Sequence, residues 1–227
     1  MKAISAAVKS VYILMPAAIV MAFLWAPPAQ VLGDSSRIMY FHVPIAWVSI
    51  LAFIVSGIAS ILFLADRKGS FARLDGIAYN SAEIGLVFTV LTVITGSIWA
   101  RISWGVFWNW DPRETSIVII LLIYIAYFSI QGAMAHNDNR GRIGSAYLIL
   151  AMITLPFFAF LVPRIYPSLH PDPIINADRT IFLDDRMRST LAVAIVSFTV
   201  FYCYILHIMN RMMKLQNHIE ENRHEAD

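Results

Sequence analysis

Six apolar stretches along this chain each approach the length that a helix needs to cross a lipid bilayer. A membrane-spanning helix takes about 20 predominantly apolar residues, because each residue adds about 1.5 Å along its axis. The stretches lie at residues 10–26, 45–64, 81–100, 115–132, 145–162 and 190–209. The composition agrees, since 59% of the 227 residues are hydrophobic and only 14% are charged. The sequence therefore predicts an all-α integral membrane protein, a bundle of six transmembrane helices.

The lysines and arginines between these stretches predict the orientation of the bundle, since cytoplasmic segments carry an excess of both. With the N-terminus in the cytoplasm, ten of the 17 basic residues and all four lysines lie in inner segments. Both termini are therefore predicted to be cytoplasmic, with a charged tail at 210–227. The outer segments are then 27–44, 101–114 and 163–189. The net charge of +2 and the scattered basic residues give no indication of a nucleic-acid partner.

The outer segment 101–114, the tryptophan loop, is the first candidate for a binding site. It contains Trp104, Trp108 and Trp110, half of the six tryptophans in the chain, and Asp111 follows directly. Closely spaced indoles form a flat apolar surface that suits a planar aromatic ligand. The alternative is a belt of tryptophans at the membrane–water interface, which needs no ligand but spreads over many helix ends. We also expect Asp111 to cap the start of the fourth span.

Two of the six histidines, His42 and His170, fall in the outer segments. His42 stands just before the second span, with Pro44 expected in the first helical turn. A zinc site needs three or four protein ligands, whereas haem supplies four nitrogens and takes one or two axial ligands from the protein. Arg37 and Arg113 are the guanidiniums best placed to bind propionates. Ordinary loop histidines and loop-end arginines remain the alternative.

Several sequence motifs resemble one family of proteins. The run W-G-V-F-W-N-W-D at 104–111 resembles the tryptophan-rich WWD signature of haem-handling proteins in cytochrome c biogenesis. The flanking T-G-S-I-W, the run R-I-M-Y-F-H-V-P-I-A-W around His42, S-L-H-P around His170 and M-R-S before the last span are similar to its CcmC branch. CcmC is protein C of the cytochrome c maturation system. The resemblance extends over nearly the whole chain.

This resemblance implies a six-span protein of the bacterial inner membrane that holds haem b at the outer face, with His42 and His170 as axial ligands. The residues that match the haem platform of the family are Trp104, Gly105, Trp108, Trp110 and Asp111. The resemblance also implies delivery of haem to a membrane-anchored, CcmE-like haem chaperone. The other implied partners are ABC-type transporter subunits (CcmA- and CcmB-like) and a small single-span, CcmD-like subunit.

A protein of this kind transfers haem and is not expected to be an enzyme. The run D-P-R-E-T at 111–115 resembles a second branch, the larger CcsA component of system II. The alternative function is therefore that of a component of a CcsA-type synthetase, which attaches haem to cytochrome c.

Overall fold

The computed structural model describes residues 2–66, 73–170 and 183–226, so residues 171–182 of the third predicted outer segment lie outside the described residues. Within these ranges the chain is helical apart from its connections and one isolated β-bridge between Ala29 and Gly33. The α-helices are α1 (Lys2–Val20), α2 (Met39–Ala65), α3 (Arg73–Trp104), α4 (Pro112–Ala133), α5 (Arg140–Pro156), α6 (Val162–Ile165) and α7 (Asp185–Ala226). Three short turns adjoin them, the π-helical Met21–Trp25 and Phe157–Leu161 and the 3-10 turn Asp34–Ile38.

Five helical stretches within the described ranges are long and apolar enough to cross a membrane. They are Asp34–Ala65, Arg73–Trp104, Pro112–Ala133, Arg140–Ile165 and Asp185–Gln216. The first predicted span, at 10–26, falls on the shorter apolar helix Ser10–Trp25, which is below the about 20 residues typical of a span. The all-helical membrane architecture is therefore confirmed, and a sixth span remains a prediction.

Helix α2 lies at the centre of the bundle and packs against α3, α5 and α7. It is joined closely to α3. The hydroxyl of Ser81 in α3 donates a hydrogen bond of 2.7 Å to the carbonyl of Ala52 in α2, and the ring of Phe53 occupies the space that a side chain at Gly85 would fill. Close packing at small residues and interhelical hydrogen bonds hold helices together in lipid. The pair α2–α3 is therefore a firmly packed support for the helices around it.

The remaining helices surround this pair. Tyr124 of α4 stacks on Phe53 of α2, with ring centroids 3.4 Å apart and the ring planes 13° from parallel. Helix α1 packs along α7, where the hydroxyl of Ser197 donates to the carbonyl of Leu14 at 3.0 Å. Helices α2 and α3 run in opposite directions, since His42 at the start of α2 meets Thr95 near the end of α3, and so do α4 and α5, where Gln131 meets Arg140. The beginnings of α2 and α4 therefore lie at the same end of the bundle as the end of α3, which leads into the tryptophan loop.

Helix α2 begins earlier than the sequence predicts. It starts at Met39, so His42 lies inside the first turn and not before the helix. Pro44 is then an interior residue, and the expectation that it occupies the first turn is wrong. The physical reason is the 3-10 turn Asp34–Ile38, which runs directly into α2. Helical hydrogen bonding is thus established before the proline, whose missing N–H removes one bond.

Candidate functional site

A cavity of about 650 Å³ opens at the end of the bundle that carries the tryptophan loop. Residues of α2, α3, α4 and the π-helical turn after α5 form its wall, and both His42 and His170 line it. The indoles of Trp99 and Trp108 and the side chain of Arg113 also reach this wall. The volume lies within the range of about 300–1,000 Å³ that is usual for small-molecule and cofactor sites. The structure therefore brings the two predicted ligands to one cavity of suitable size.

The imidazole of His42 is oriented by α3. Its Nδ1 lies 2.8 Å from the hydroxyl oxygen of Thr95. That hydroxyl donates its only proton to the carbonyl of Leu91, at 2.8 Å, as helical threonines commonly do to the carbonyl four residues earlier. With the proton in that bond, the oxygen accepts from His42, and Nδ1 is the donor. A neutral imidazole protonated on Nδ1 has its lone pair on Nε2, so Nε2 of His42 is available to bind a metal.

Gly96, the next residue of α3, lets the His42 ring lie against the helix. A Cβ atom at this position would stand 3.1 Å from Cε1 of His42. Favourable contacts between carbon atoms begin at about 3.5 Å, so a side chain here would push the ring. The absence of a side chain at Gly96 and the hydroxyl of Thr95 together determine where the His42 ring lies.

His170 is held by a carboxylate and two indoles. Its Nδ1 lies 3.1 Å from Oδ1 of Asp111, and its ring centroid lies 4.9 Å from that of Trp104 and 5.7 Å from that of Trp99. Burial lowers the pKa of His170 below its ordinary value of 6.5, and the charge of Asp111 offsets only part of this effect. The imidazole is therefore neutral near pH 7 and donates its Nδ1 proton to Asp111, which again leaves the lone pair on Nε2.

Asp111 ties the segment 168–170 to the tryptophan loop. Its buried carboxylate accepts hydrogen bonds from the hydroxyl of Ser168 (2.9 Å), the backbone N–H of Leu169 (2.7 Å) and the backbone N–H of Arg113 (2.9 Å), in addition to His170. Burial alone would raise the pKa of Asp111, but these hydrogen bonds outweigh it and hold the pKa below its ordinary value. The group is therefore an anion with every contact supplied by a donor.

The backbone of the tryptophan loop is set by helix caps at both ends. Helix α3 ends at Trp104, and the next residue, Gly105, has a φ of +82° that suits a glycine. The N–H of Gly105 donates to the carbonyl of Arg101 at 3.1 Å. Helix α4 begins with a capping box between Asp111 and Glu114, which confirms the predicted capping role of Asp111. Between the caps, Trp110 has a φ of +63°. This conformation is uncommon for a bulky residue and turns the chain into the cap of α4.

The three tryptophans of the loop lie in three different environments. Trp108 lines the cavity. Trp104 packs edge-on against His170 and Trp99. Trp110 is 75% exposed and makes an edge contact with Trp108 at 5.7 Å between centroids. The structure therefore does not bring the three indoles onto one face, and the cavity receives Trp108 together with Trp99.

The two arginines that the sequence singles out also differ in placement. Arg37 donates to the carboxylate of Asp34 at 2.9 Å and to the carbonyls of Ala22 and Ala26. Its guanidinium thus joins the end of the first helical segment to the start of α2. Arg113 lines the cavity. Of the two, Arg113 is the one that a ligand in the cavity can reach.

Four residues that contact His42, His170 or Asp111 are not among the site residues predicted from the sequence. They are Thr95, Gly96, Trp99 and Ser168. A signal for three of them is present in the sequence. Thr92, Thr95, Gly96 and Trp99 follow the spacing i, i+3, i+4 and i+7, which places them on one face of a helix. A stripe of hydroxyls and a glycine in an apolar span marks a face that contacts protein or ligand and not lipid. Ser168 has no comparable signal.

The sequence profile of the CcmC family, described as heme exporter protein C, matches residues 1–226. The chain belongs to this family. The resemblance found in the sequence motifs is thereby confirmed for the CcmC branch.

Individual relatives agree with this family assignment. The chain is 32% identical to the heme exporter protein C of Bradyrhizobium diazoefficiens over 177 residues, which are 78% of this chain and 66% of the relative. It is 30% identical to the heme exporter protein C of Escherichia coli K12 over 176 residues, 78% of this chain and 69% of the relative. A cytochrome c biosynthesis ccmC-like mitochondrial protein of Marchantia polymorpha is 35% identical over 140 residues, 61% of this chain. The chain spans only 58% of the length of that plant relative.

Proposed function

We propose that this protein binds haem b between His42 and His170 and delivers it to a membrane-anchored haem chaperone for the maturation of c-type cytochromes. One observation carries the proposal. Two imidazoles from distant parts of the chain line the same cavity, and each engages Nδ1 with an acceptor, so that each Nε2 keeps its lone pair. Haem leaves two axial positions for protein ligands, and a hydrogen bond to the second ring nitrogen is the usual support of a metal-binding histidine.

The wall of the cavity fits the rest of the haem group. Haem is a large apolar disc with two carboxylates at one edge, and the wall combines the indoles of Trp99 and Trp108 with the cationic side chain of Arg113. In this proposal Trp108 packs against the macrocycle and Arg113 pairs with a propionate. Trp104 and Asp111 act through His170, which both contact directly. The bacterial relatives are named heme exporter protein C, which supports haem as the ligand.

The remaining sequence-based residues take structural parts in the proposed site. Gly105 follows the last residue of α3 and, with its positive φ, turns the chain out of the helix. Trp110 presents an exposed indole beside Trp108, at the place where an incoming partner can reach the loop. Arg37 supports the start of α2 through its contacts with Ala22 and Ala26, and thereby the turn that carries the His42 imidazole.

The proposed setting is the bacterial inner membrane, with the cavity at the outer face and both termini in the cytoplasm. The proposed partners are a CcmE-like chaperone, CcmA- and CcmB-like ABC transporter subunits and a CcmD-like single-span subunit, as in the system for which the family is named. The five apolar spans and the family assignment support this setting.

The orientation can be tested by cysteine labelling. In a Cys203→Ser background, a cysteine at Val31, which is exposed at the tryptophan-loop end, should react with an impermeant maleimide in intact cells. A cysteine at the exposed Asp138, in the connection between α4 and α5, should react only after lysis. The opposite pattern would place the cavity on the cytoplasmic side and contradict the proposal.

The central experiment is an absorption spectrum of the full-length protein purified in detergent, with and without added haemin. The wild type should show the Soret band of six-coordinate, low-spin haem. His42→Ala and His170→Ala should each lose that spectrum, whereas His136→Ala should keep it, because His136 is exposed in the connection between α4 and α5. Unchanged low-spin haem in both single variants would refute the assignment of the ligands.

The second candidate function is that of a CcsA-type haem-attachment synthetase, which the run 111–115 suggests. In the structure this run begins α4, with Asp111 and Glu114 forming its capping box. Helix capping therefore accounts for these residues without catalysis. Covalent attachment of haem to an apocytochrome by the purified protein alone would favour the synthetase, and transfer of haem only to the chaperone would favour the proposed function.

A further inference from the structure

The two imidazoles assigned to iron are supported by groups of different charge. Nδ1 of His170 donates to the Asp111 carboxylate, which accepts four donors and is ionised. Nδ1 of His42 donates to the Thr95 hydroxyl, which is neutral and already engaged with the carbonyl of Leu91. The Nδ1–H of His170 therefore faces an anion, and that of His42 faces a neutral group.

The charge of the acceptor changes the strength of the metal bond. A carboxylate draws the Nδ1 proton and increases the electron density on Nε2, so it raises the basicity of the ligand. A neutral hydroxyl does so only weakly, since hydrogen bonds between neutral groups are about half as strong as charge-assisted ones. His170 is therefore the stronger donor to iron.

The surroundings of the two rings reinforce this difference. Trp99 and Trp104 pack on the His170 ring, so that ring has aromatic contacts and a buried anion behind it. The His42 ring lies directly against Gly96 of α3, and its Nδ1 has the hydroxyl of Thr95 as its partner. The polar support of the His42 ring is therefore a neutral hydroxyl.

We propose that the two axial ligands are unequal, with His170 retained and His42 exchanged first when haem leaves, and that Thr95 is the positioning residue that sets the lability of His42. This inference rests on the proposed function. In the exchange step the bond from Nε2 of His42 to iron breaks, and its electron pair stays on the nitrogen. The replacing bond is formed by a neutral nitrogen donor, or by a water molecule, on the side of the partner that receives the haem. The Nδ1 proton remains donated to Thr95, so no proton or electron is transferred.

The test measures exchange of an axial imidazole by cyanide in the ferric, haem-loaded full-length protein in detergent. The wild type is compared with Thr95→Val, which keeps the shape but removes the acceptor, and with Thr95→Ser, which keeps the hydroxyl. Removal of a neutral hydrogen bond should accelerate exchange roughly 2- to 10-fold in the valine variant, while the serine variant should exchange at the wild-type rate. The low-spin electron paramagnetic resonance signal should shift in the valine variant only.

A second measurement identifies the ligand that leaves. His42→Ala should retain part of its haem as a five-coordinate, high-spin species bound through His170, and His170→Ala should lose nearly all of it. Equal rates in wild type and Thr95→Val, or better retention of haem by His170→Ala than by His42→Ala, would overturn the inference. A wild-type protein that binds no added haemin would instead overturn the proposed function, so the two failures are distinguishable.

Discussion

The two sides of the cavity present a neutral imidazole in the same tautomer, but they do so by different means. On one side His42 belongs to a helix, and its ring is placed by the packing of α2 on α3, through Thr95 and Gly96. On the other side His170 belongs to a connecting segment, and its ring is placed by one carboxylate, Asp111. A ligand on a helix inherits its position from many contacts along the helix pair. A ligand on a connecting segment depends on whichever residue ties that segment down.

From this comparison we expect the largest loss of haem affinity when Asp111 is substituted. Asp111→Ala removes both the support of His170 and the cap of α4, so haem affinity should fall about 10- to 100-fold and stability by about 1 kcal/mol. Asp111→Asn should keep the cap, since asparagine is a good N-cap residue, and should lose only part of the haem affinity. Haemin titration and thermal unfolding in detergent measure the two effects. Wild-type affinity in the alanine variant would show that His170 needs no support.

The next largest loss of haem affinity is expected on the His42 side of the cavity, from substitution of Gly96. Gly96→Ala places a methyl group about 3.1 Å from Cε1 of His42 and should displace the ring, with a cost of about 1–3 kcal/mol in haem binding. Gly132→Ala in α4 is the matched control, because a Cβ atom there meets nothing within 4 Å. The control variant should bind haemin normally. Equal affinity of the two variants would indicate that the His42 ring adjusts freely against α3.

A smaller loss of haem affinity is expected when an indole of the tryptophan loop is removed. Trp104→Leu removes the edge contact with His170, and such aromatic contacts contribute about 0.5–1.5 kcal/mol. Trp110→Leu changes an exposed side chain and should leave haemin binding unchanged. Titration of both variants tests this order, and a larger loss for Trp110→Leu would mean that the exposed indole contacts the ligand itself.

The smallest effect concerns pH in the haem-free protein. The pKa of His170 is lowered by burial, so below about pH 6.5 the unfolded chain binds a proton that the folded protein resists. Stability should therefore fall as the pH decreases from 7.5 to 5. The pKa of Asp111 is lowered as well, so Asp111 remains ionised across this range and adds no slope. His170→Gln should flatten the dependence of the unfolding temperature on pH, and an unchanged slope would contradict this reading of the burial.

Local sequence patterns were sufficient for some parts of the fold and the site. Long apolar stretches predict the membrane helices, because length and polarity are properties of each segment alone. The cap of α4 is also readable, since Asp111 and Glu114 stand three positions apart just before an apolar run. Family motifs around His42 and His170 point to the two candidate ligands.

Other parts depend on neighbours that are distant along the chain. Thr95 and Gly96 support His42 from another helix, and Thr95 is 53 residues away from it along the chain. No local sequence pattern links these two residues to His42. Arg37 looks like a propionate ligand in the sequence, but in the structure it donates to the carbonyls of Ala22 and Ala26. A guanidinium takes whichever acceptors the fold brings close, and these become apparent only when the helices are packed.

The amino-acid sequence alone determined that this chain forms membrane helices and which two histidines are the candidate ligands, because hydropathy and residue identity belong to the chain itself. Only the tertiary structure decided which ring nitrogen each histidine offers and which indoles face the cavity. The tautomer and direction of an imidazole follow from the acceptor at its other nitrogen. Here those acceptors, Thr95 and Asp111, come from other segments of the fold.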